Sequence, residues 1–171
     1  GGSIPKNFIP AIEKGVRETL IEGYVAGYPV VDVRAIVYDG SYHDVDSSEQ
    51  AFKTAAKLAF HNAAEKANPV LLEPVVNITI DVPDDAVGDV MGDLNTRRAQ
   101  TQGMEPVTAG ITRIQAQVPM AHVARYAIDL RSMTKGRGRF ATDFSHYAEV
   151  PAHEAQPLIA AHQARRKSEE D

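Results

Sequence analysis

The sequence predicts an α+β protein built as two unequal units. Three observations lead there. Apolar residues recur at helical spacing between Ile9 and Leu20 and again between Phe52 and Ala63. They alternate with polar residues over Val76–Val82 and Ile114–Val118, the period of half-buried strands. Asn68-Pro69 and Glu73-Pro74 punctuate the chain between these regions and put a boundary near Pro69.

In the first unit, Ile9, Ile12, Val16 and Leu20 share one face of a helix that Gly23 is placed to end. Gly15 inside that helix costs ~1 kcal/mol relative to Ala and marks close packing. Val30–Tyr38 reads as a strand, with Val31, Val33, Ala35 and Val37 on one face. Asp39–Val45 is a polar, glycine-containing loop. Asp46–Lys66 is a second helix, capped by Asp46 with Glu49 completing a capping box. Its expected buried stripe is Phe52, Ala55, Ala56, Ala59 and Ala63, small enough to lie close on a sheet. A single strand between two helices has both edges unpaired and makes no stable sheet. The unit is therefore expected to take strands from another chain or to be part of a larger domain.

In the second unit, Val76, Ile78, Ile80 and Val82 form the inner face of a first strand. A helix follows Pro83, with Val87, Val90, Met91 and Leu94 inward. A weak strand runs from about Ala99 to Val107. Ile114, Ala116 and Val118 line a third strand, alternating with Arg113, Gln115 and Gln117. Met120, Val123, Ala127 and Leu130 mark a helix begun after Pro119, and Phe140, Thr142, Phe144 and His146 line a fourth strand. The order βαββαβ is that of a ferredoxin-like sandwich, with both helices on one face of an antiparallel sheet. Pro151–Asp171 is expected to be a short Ala-rich helix with a charged, frayed end.

Composition bounds the function. The 171 residues carry 18 Lys+Arg against 23 Asp+Glu, a net charge of −5, and 43% are hydrophobic, which excludes wholesale disorder. No apolar run is long enough to span a membrane, and Gly1–Pro10 has no secretory pattern. The absence of cysteine excludes disulfides, thiolate metal sites and cysteine nucleophiles, and fits a cytoplasmic protein. The mean charge conceals a pattern. Val70–Thr96 holds six acids and no base, whereas Arg97–Arg139 holds eight bases and two acids. A basic block of that kind binds an anionic polymer whatever the total charge, because local counterion release supplies the free energy. The same block also reads as an ordinary solvated face.

Most short motifs carry nothing. Asp85-x-x-Gly88 and Asp89-x-x-Gly92 match a GTPase switch pattern, but no phosphate loop exists in the chain and both fall in a helix. Gly136-x-Gly138-x-x-Ala141 precedes a strand, where a dinucleotide fingerprint must follow one. Ser132-x-x-Lys135 lacks the companion motifs of a β-lactamase. Asn77-Ile78-Thr79 lies in a strand, which argues against glycosylation. The six histidines have no ligand spacing, so no metal site is expected. A hydrolase could be drawn from His43, Asp44 and Ser47, but triads are assembled from distant segments. The plainer reading gives Asp46 and Ser47 to helix capping and leaves His43 at a loop tip, suited to recognition.

That tip carries a resemblance. Gly40-Ser41-Tyr42-His43-Asp44-Val45-Asp46-Ser47-Ser48-Glu49 is preceded by Gly27-Tyr28-Pro29-Val30 and by Gly1-Gly2-x-Ile4-Pro5. Together they resemble domain IV of bacterial elongation factor G. Leu71-Leu72-Glu73-Pro74, Gly88-Asp89-Val90-Met91-Gly92-Asp93-Leu94-Asn95-x-Arg97-Arg98 and Leu130-Arg131-Ser132-x-Thr134-x-Gly136-Arg137-Gly138 resemble its domain V. The similarity runs from Gly1 to about Pro151 in family order. It implies domain IV over 1–69, domain V over 70–150 and a tail over 151–171. It also implies that the first strands of domain IV and the GTP-binding domain lie upstream of Gly1, with a left-handed βαβ crossover in domain IV.

The resemblance implies a function as well. Elongation factor G is a translational GTPase that drives translocation of tRNA and mRNA on the ribosome. Gly40, Ser41, Tyr42, His43 and Asp44 match the tip that enters the decoding site, on the A-site side, beside the codon–anticodon duplex. A small polar tip suits a duplex minor groove of 2′-hydroxyls and base edges. Arg97, Arg98, Arg131, Lys135, Arg137 and Arg139 match the domain that lies near the sarcin–ricin loop of large-subunit rRNA, and are suited to phosphates. Some of these arginines could instead pair with Asp89 and Asp93 or face a neighbouring domain of the same protein. GTP and Mg belong to the parent's N-terminal domain, and this chain is expected to hold no cofactor and no catalytic residue. Val123-Ala124-Arg125-Tyr126 replaces a Met-Phe-Gly-Tyr often seen in the family, and the tail matches nothing assigned. Both leave open a paralogue acting in ribosome recycling. An independent ferredoxin-like RNA-binding module is a further alternative. The lack of aromatics on the third strand counts against it.

Overall fold

Nine regular elements follow one another in a computed structural model that describes residues 3–170. They are α1 (Ile9–Glu22), α2 (Glu49–Lys66), β1 (Leu72–Pro83), α3 (Val87–Thr96), β2 (Gln100–Thr108), β3 (Ile111–Pro119), α4 (Tyr126–Met133), β4 (Arg139–Glu149) and α5 (Ala152–Glu170). Gly1-Gly2 of the sequence signature lie outside the described residues. The chain divides into two units, one of 3–71 with 151–170 and one of Leu72–Val150.

The second unit is a four-stranded antiparallel sheet in the order β2-β3-β1-β4. With α3 and α4 in sequence between the strands, this is the expected βαββαβ arrangement. Its core takes Val76, Ile78, Ile80 and Val82 from β1 and Ile114, Ala116 and Val118 from β3. Ala86, just before α3, Val90 and Leu94 of α3, and Tyr126 and Leu130 of α4 complete it. Each large side chain buried this way contributes about 1.5–3 kcal/mol. The alternation is strict because only every second strand residue faces the helices. β2 is an exposed edge strand with two register shifts, which is why its sequence pattern is weak.

Two inward faces differ from expectation. The second helix begins as a 3-10 turn over Met120–Val123 and becomes α-helical only at Tyr126. The change from about three to 3.6 residues per turn shifts the phase. Tyr126 therefore occupies the core at 0% exposure, while Met120 and Ala127 face outward. In β4 the register passes from Val76↔Phe144 to Val75↔His146. Ser145 is the bulged residue, so His146 turns to the face opposite Phe144.

In the first unit, α1 and α2 pack through Ala11, Ile12, Phe52 and Ala56, with Ile4, Phe8 and Val16 beside them. Gly15 does mark close packing: a Cβ there would lie 2.5 Å from Lys53 O and 3.2 Å from Ala56 Cβ. Gly23 ends α1 at φ 79°, its N–H donating to Thr19 O at 3.0 Å. Lys53 and Lys57 both reach Glu18, at 2.7 and 2.9 Å. These bonds lower the Glu18 carboxyl from 4.5 to about 2.

Val30–Tyr38 is not a strand in this structure. It is joined to no ladder, Asp32 has φ 56°, and Val31, Val33, Ile36, Val37 and Tyr38 are exposed, Tyr38 at 95%. β-propensity alone does not make a strand without a pairing partner. Among the described residues of this unit no strands exist to define a left-handed crossover. Ala55, Ala59 and Ala63 are exposed for the same reason, and only Phe52 and Ala56 of the expected stripe are buried. The cap also differs. Ser48, in extended geometry, accepts from Ala51 N at 3.0 Å, so α2 starts at Glu49 rather than after Asp46. The C-terminal segment forms one long helix through Glu170 despite Pro157, carried by its Ala, Gln, Glu, Lys and Arg content.

Candidate nucleic-acid interface

The residues singled out in the sequence fall in a loop of the first unit and, in the second, after α3 and around the α4–β4 connection. The first is the Gly40–Asp44 tip. Ser47 N donates to His43 O at 3.1 Å, and His43 N donates to Ser47 Oγ at 3.0 Å. The loop is thus closed across its own neck by both groups of one residue. Asp39 Oδ1 accepts from Gly40 N at 2.8 Å and from Ser3 Oγ at 3.3 Å. Gly40 packs against the Ile4 side chain, which would have to shift to admit a Cβ there. The Tyr42 ring lies 5.9 Å from Phe8, which stacks at 4.5 Å on the core residue Phe52. A hydrogen bond from Tyr42 to Asp44 raises the phenol above its ordinary value, with desolvation and the Asp44 charge adding. His43 remains exposed at the apex.

Ser47 Oγ accepts the His43 amide, and among the described residues no hydrogen bond joins it to the His43 ring as a nucleophile–base pair would require. Ser41 is exposed as well.

The second loop joins α4 to β4. Thr134, fully buried, holds it: its hydroxyl donates to Leu130 O at 2.7 Å and accepts from Gly138 N at 2.8 Å. Gly136 N donates to Arg131 O at 2.8 Å, and Lys135 and Gly136 have φ of 52° and 79°. Gly138 lies against Thr134 at a distance that leaves no space for a Cβ. Lys135 and Arg137 are therefore displayed by a fixed turn, with Arg131 at the end of α4 and Arg139 at the start of β4 flanking it.

The six candidate site residues among the eight cations of the basic block have different surroundings. Arg97 is enclosed. It donates to Asp93 Oδ2 at 2.7 Å, to Asp129 Oδ2 at 2.6 Å and to His122 O at 2.7 Å, and its guanidinium lies 4.9 Å from the Tyr126 ring centre. Asp93 and Asp129 push its pKa further up. Tyr126 is likewise pushed well above the usual phenol range, mainly by burial. Arg98 pairs with Glu73 at 2.6 Å in a partly buried bidentate contact. These two residues join segments of the unit through their ion pairs, the alternative left open for some of these arginines. Arg137 makes an exposed pair with Asp85 at 3.0 Å, of the kind worth ~0–1 kcal/mol. Arg139 faces Asp81 across the sheet and helps Arg113 hold that carboxyl below its usual value, Arg113 being the larger cause. Arg131 and Lys135 are exposed, with no carboxylate in ion-pair distance among the described residues. Of the two acids named as partners for some of these arginines, Asp93 pairs with Arg97.

Sequence reasoning missed Ser47 and Thr134 as the residues that fix the two loops. Thr134 had a readable signal, a hydroxyl residue four positions before a glycine whose N–H it accepts. Among the described residues no group of three or more His, Asp or Glu is placed to hold a metal ion. No helix there is long and apolar enough to cross a membrane.

The tip and the basic turn fall in two adjoining family matches. A model of elongation factor G domain IV matches residues 1–68, and one of the elongation factor G C-terminus matches 70–158. The chain belongs to the elongation factor G family. Elongation factor G from Aquifex pyrophilus is 54% identical over 168 residues, which is 98% of this chain. The chain spans 24% of that relative's length. A crystal structure of a protein from Thermus thermophilus superposes with a TM-score of 0.80 at 44% identity, covering 96% of this chain and 25% of that one. The elongation factor G domain IV match contains Gly40–Asp44, and the C-terminal match contains all six cations.

Proposed function

We propose that this chain is the ribosome-engaging part of an elongation factor G that promotes translocation of tRNA and mRNA. The tip with His43 enters the small-subunit decoding site beside the codon–anticodon duplex. The end of α4 and the turn after it, with Arg131 and Lys135, meet large-subunit rRNA near the sarcin–ricin loop, with Arg137 and Arg139 as weaker contributors. GTP and Mg act in the N-terminal domain of the parent, which hydrolyses the nucleotide in the cytoplasm. The observation that carries this reading is the match to both elongation factor G models over nearly the whole chain. It is supported by the geometry: a polar tip closed by its own hydrogen bonds, and two exposed cations, Arg131 in the last turn of α4 and Lys135 on the fixed turn after it, with no carboxylate in ion-pair distance among the described residues.

The chemistry fits without a covalent step. A duplex minor groove is met by a small rigid polar element, and phosphates by displayed cations. Rigidity matters because a loop ordered only on contact spends part of its binding energy on ordering. His43→Ala in the full-length factor is expected to slow translocation roughly tenfold through lost positioning, with GTP hydrolysis nearly unchanged. Rapid-mixing measurements of both steps check this. Equal collapse of both rates, or no change in either, would contradict it.

A further inference from the structure

We infer that Ser47 is the positioning residue of the His43 tip, and that the adjacent serines divide two tasks between them. This rests on the tip reading above. Ser48 caps α2, accepting from Ala51 N at 3.0 Å. Ser47 does not cap. Its hydroxyl oxygen takes the His43 N–H at 3.0 Å while its own N–H donates to His43 O at 3.1 Å. Both main-chain groups of His43 are therefore fixed by one residue at the neck of the loop. The imidazole is left outward, with its backbone held at donor and acceptor alike.

The division has a physical reason. The segment leaves an exposed turn over Asp44–Asp46 and must enter a helix at Glu49. The turn needs an acceptor inside its neck, and the helix needs one at its first turn. A single serine cannot face both. The Tyr42 ring against Phe8 steadies the other limb of the loop, and Gly40 against Ile4 fixes its base. Ser47 is thus the only side chain among the described residues that bonds the His43 backbone. A hydroxyl is required there, and Thr retains one.

The test uses Ser47→Ala, Ser47→Thr, Ser48→Ala and His43→Ala. In this chain, exchange of the His43 amide is followed by NMR. Ser47→Ala is expected to speed it roughly tenfold, with Ser47→Thr and Ser48→Ala close to the parent. In the full-length factor, Ser47→Ala is expected to slow translocation several-fold while GTP hydrolysis holds, and Ser47→Thr to restore it. Unchanged His43 exchange in Ser47→Ala overturns the clamp. Faster exchange with normal translocation, where His43→Ala is slow, overturns the positioning role and leaves the tip reading standing. Normal translocation in His43→Ala overturns the tip reading and this inference with it. Loss of helical circular dichroism in Ser47→Ala but not Ser48→Ala would show Ser47 to be the cap, and contradict the division.

Discussion

The two units of this chain bury very different amounts of themselves. Leu72–Val150 closes a core of twelve buried residues between a sheet and its helices. The first unit has four such residues between α1 and α2, while its extended segment Val30–Tyr38 and the alanines at 55, 59 and 63 of α2 are exposed. Both contain chain with the right intrinsic preferences. The difference is that β1 has β3 on one side and β4 on the other, whereas Val30–Tyr38 has no pairing partner among the described residues. Propensity makes an element eligible, and pairing makes it form.

Disturbing one contact in each core probes this difference. Leu94 is fully buried in the larger core, so Leu94→Ala is expected to cost about 3–4 kcal/mol. Denaturant unfolding, read by amide exchange in β1 and β3, checks it. A loss well below this would mean that the sheet core is looser than its burial indicates. In the smaller core the vulnerable site is a close approach. Gly15→Ala places a Cβ 2.5 Å from Lys53 O and is expected to cost about 1–2 kcal/mol, after the helix propensity gain of ~1 kcal/mol. Exchange in α1 and α2 reads it, and a stabilising result would show that the helix pair is free to separate.

A smaller effect comes from acid. The Glu18 carboxyl is lowered from 4.5 to about 2 by Lys53 and Lys57. A lowered carboxylate contributes stability that is complete above its unfolded value and is lost as pH falls through the folded one. The α1–α2 contact should therefore weaken between pH 4.5 and about 2, and Glu18→Gln should flatten that limb of the stability profile. Thermal melts across the window check it. An unchanged acid limb in Glu18→Gln would show the two lysine contacts to be solvated and without weight.

The sheet unit was legible in the sequence because its alternation is enforced by one buried face. Ile78, Ile80, Ile114 and Val118 all lie where period two puts them. Two places were not legible. The 3-10 turn at Met120–Val123 moved Tyr126 inward, and the bulge at Ser145 turned His146 over. Both insert a phase change that periodicity, which assumes a constant repeat, cannot contain. The candidate interface was legible as residue types and only partly as surroundings. Arg97 and Lys135 look alike in the charge count, yet Arg97 touches two carboxylates and Lys135 touches none within ion-pair distance among the described residues. The partners Asp129 and His122 are far along the chain, so only the fold brings them together. Likewise Asp46, Ser47 and Ser48 are all able to cap, and geometry alone selects Ser48.

The two loops differ in the physics they offer a nucleic acid. The tip offers a hydrogen-bonded polar shape without Lys or Arg, and the end of α4 with the turn after it offers positive charge. Ribosome binding by the full-length factor as a function of salt separates them most directly. Arg131→Ala with Lys135→Ala is expected to weaken binding and to reduce the slope of log affinity against log salt by roughly one to two. His43→Ala should leave that slope unchanged while slowing translocation. An unchanged slope in the double variant, or a reduced one in His43→Ala, would contradict the assignment of charge to one loop and shape to the other.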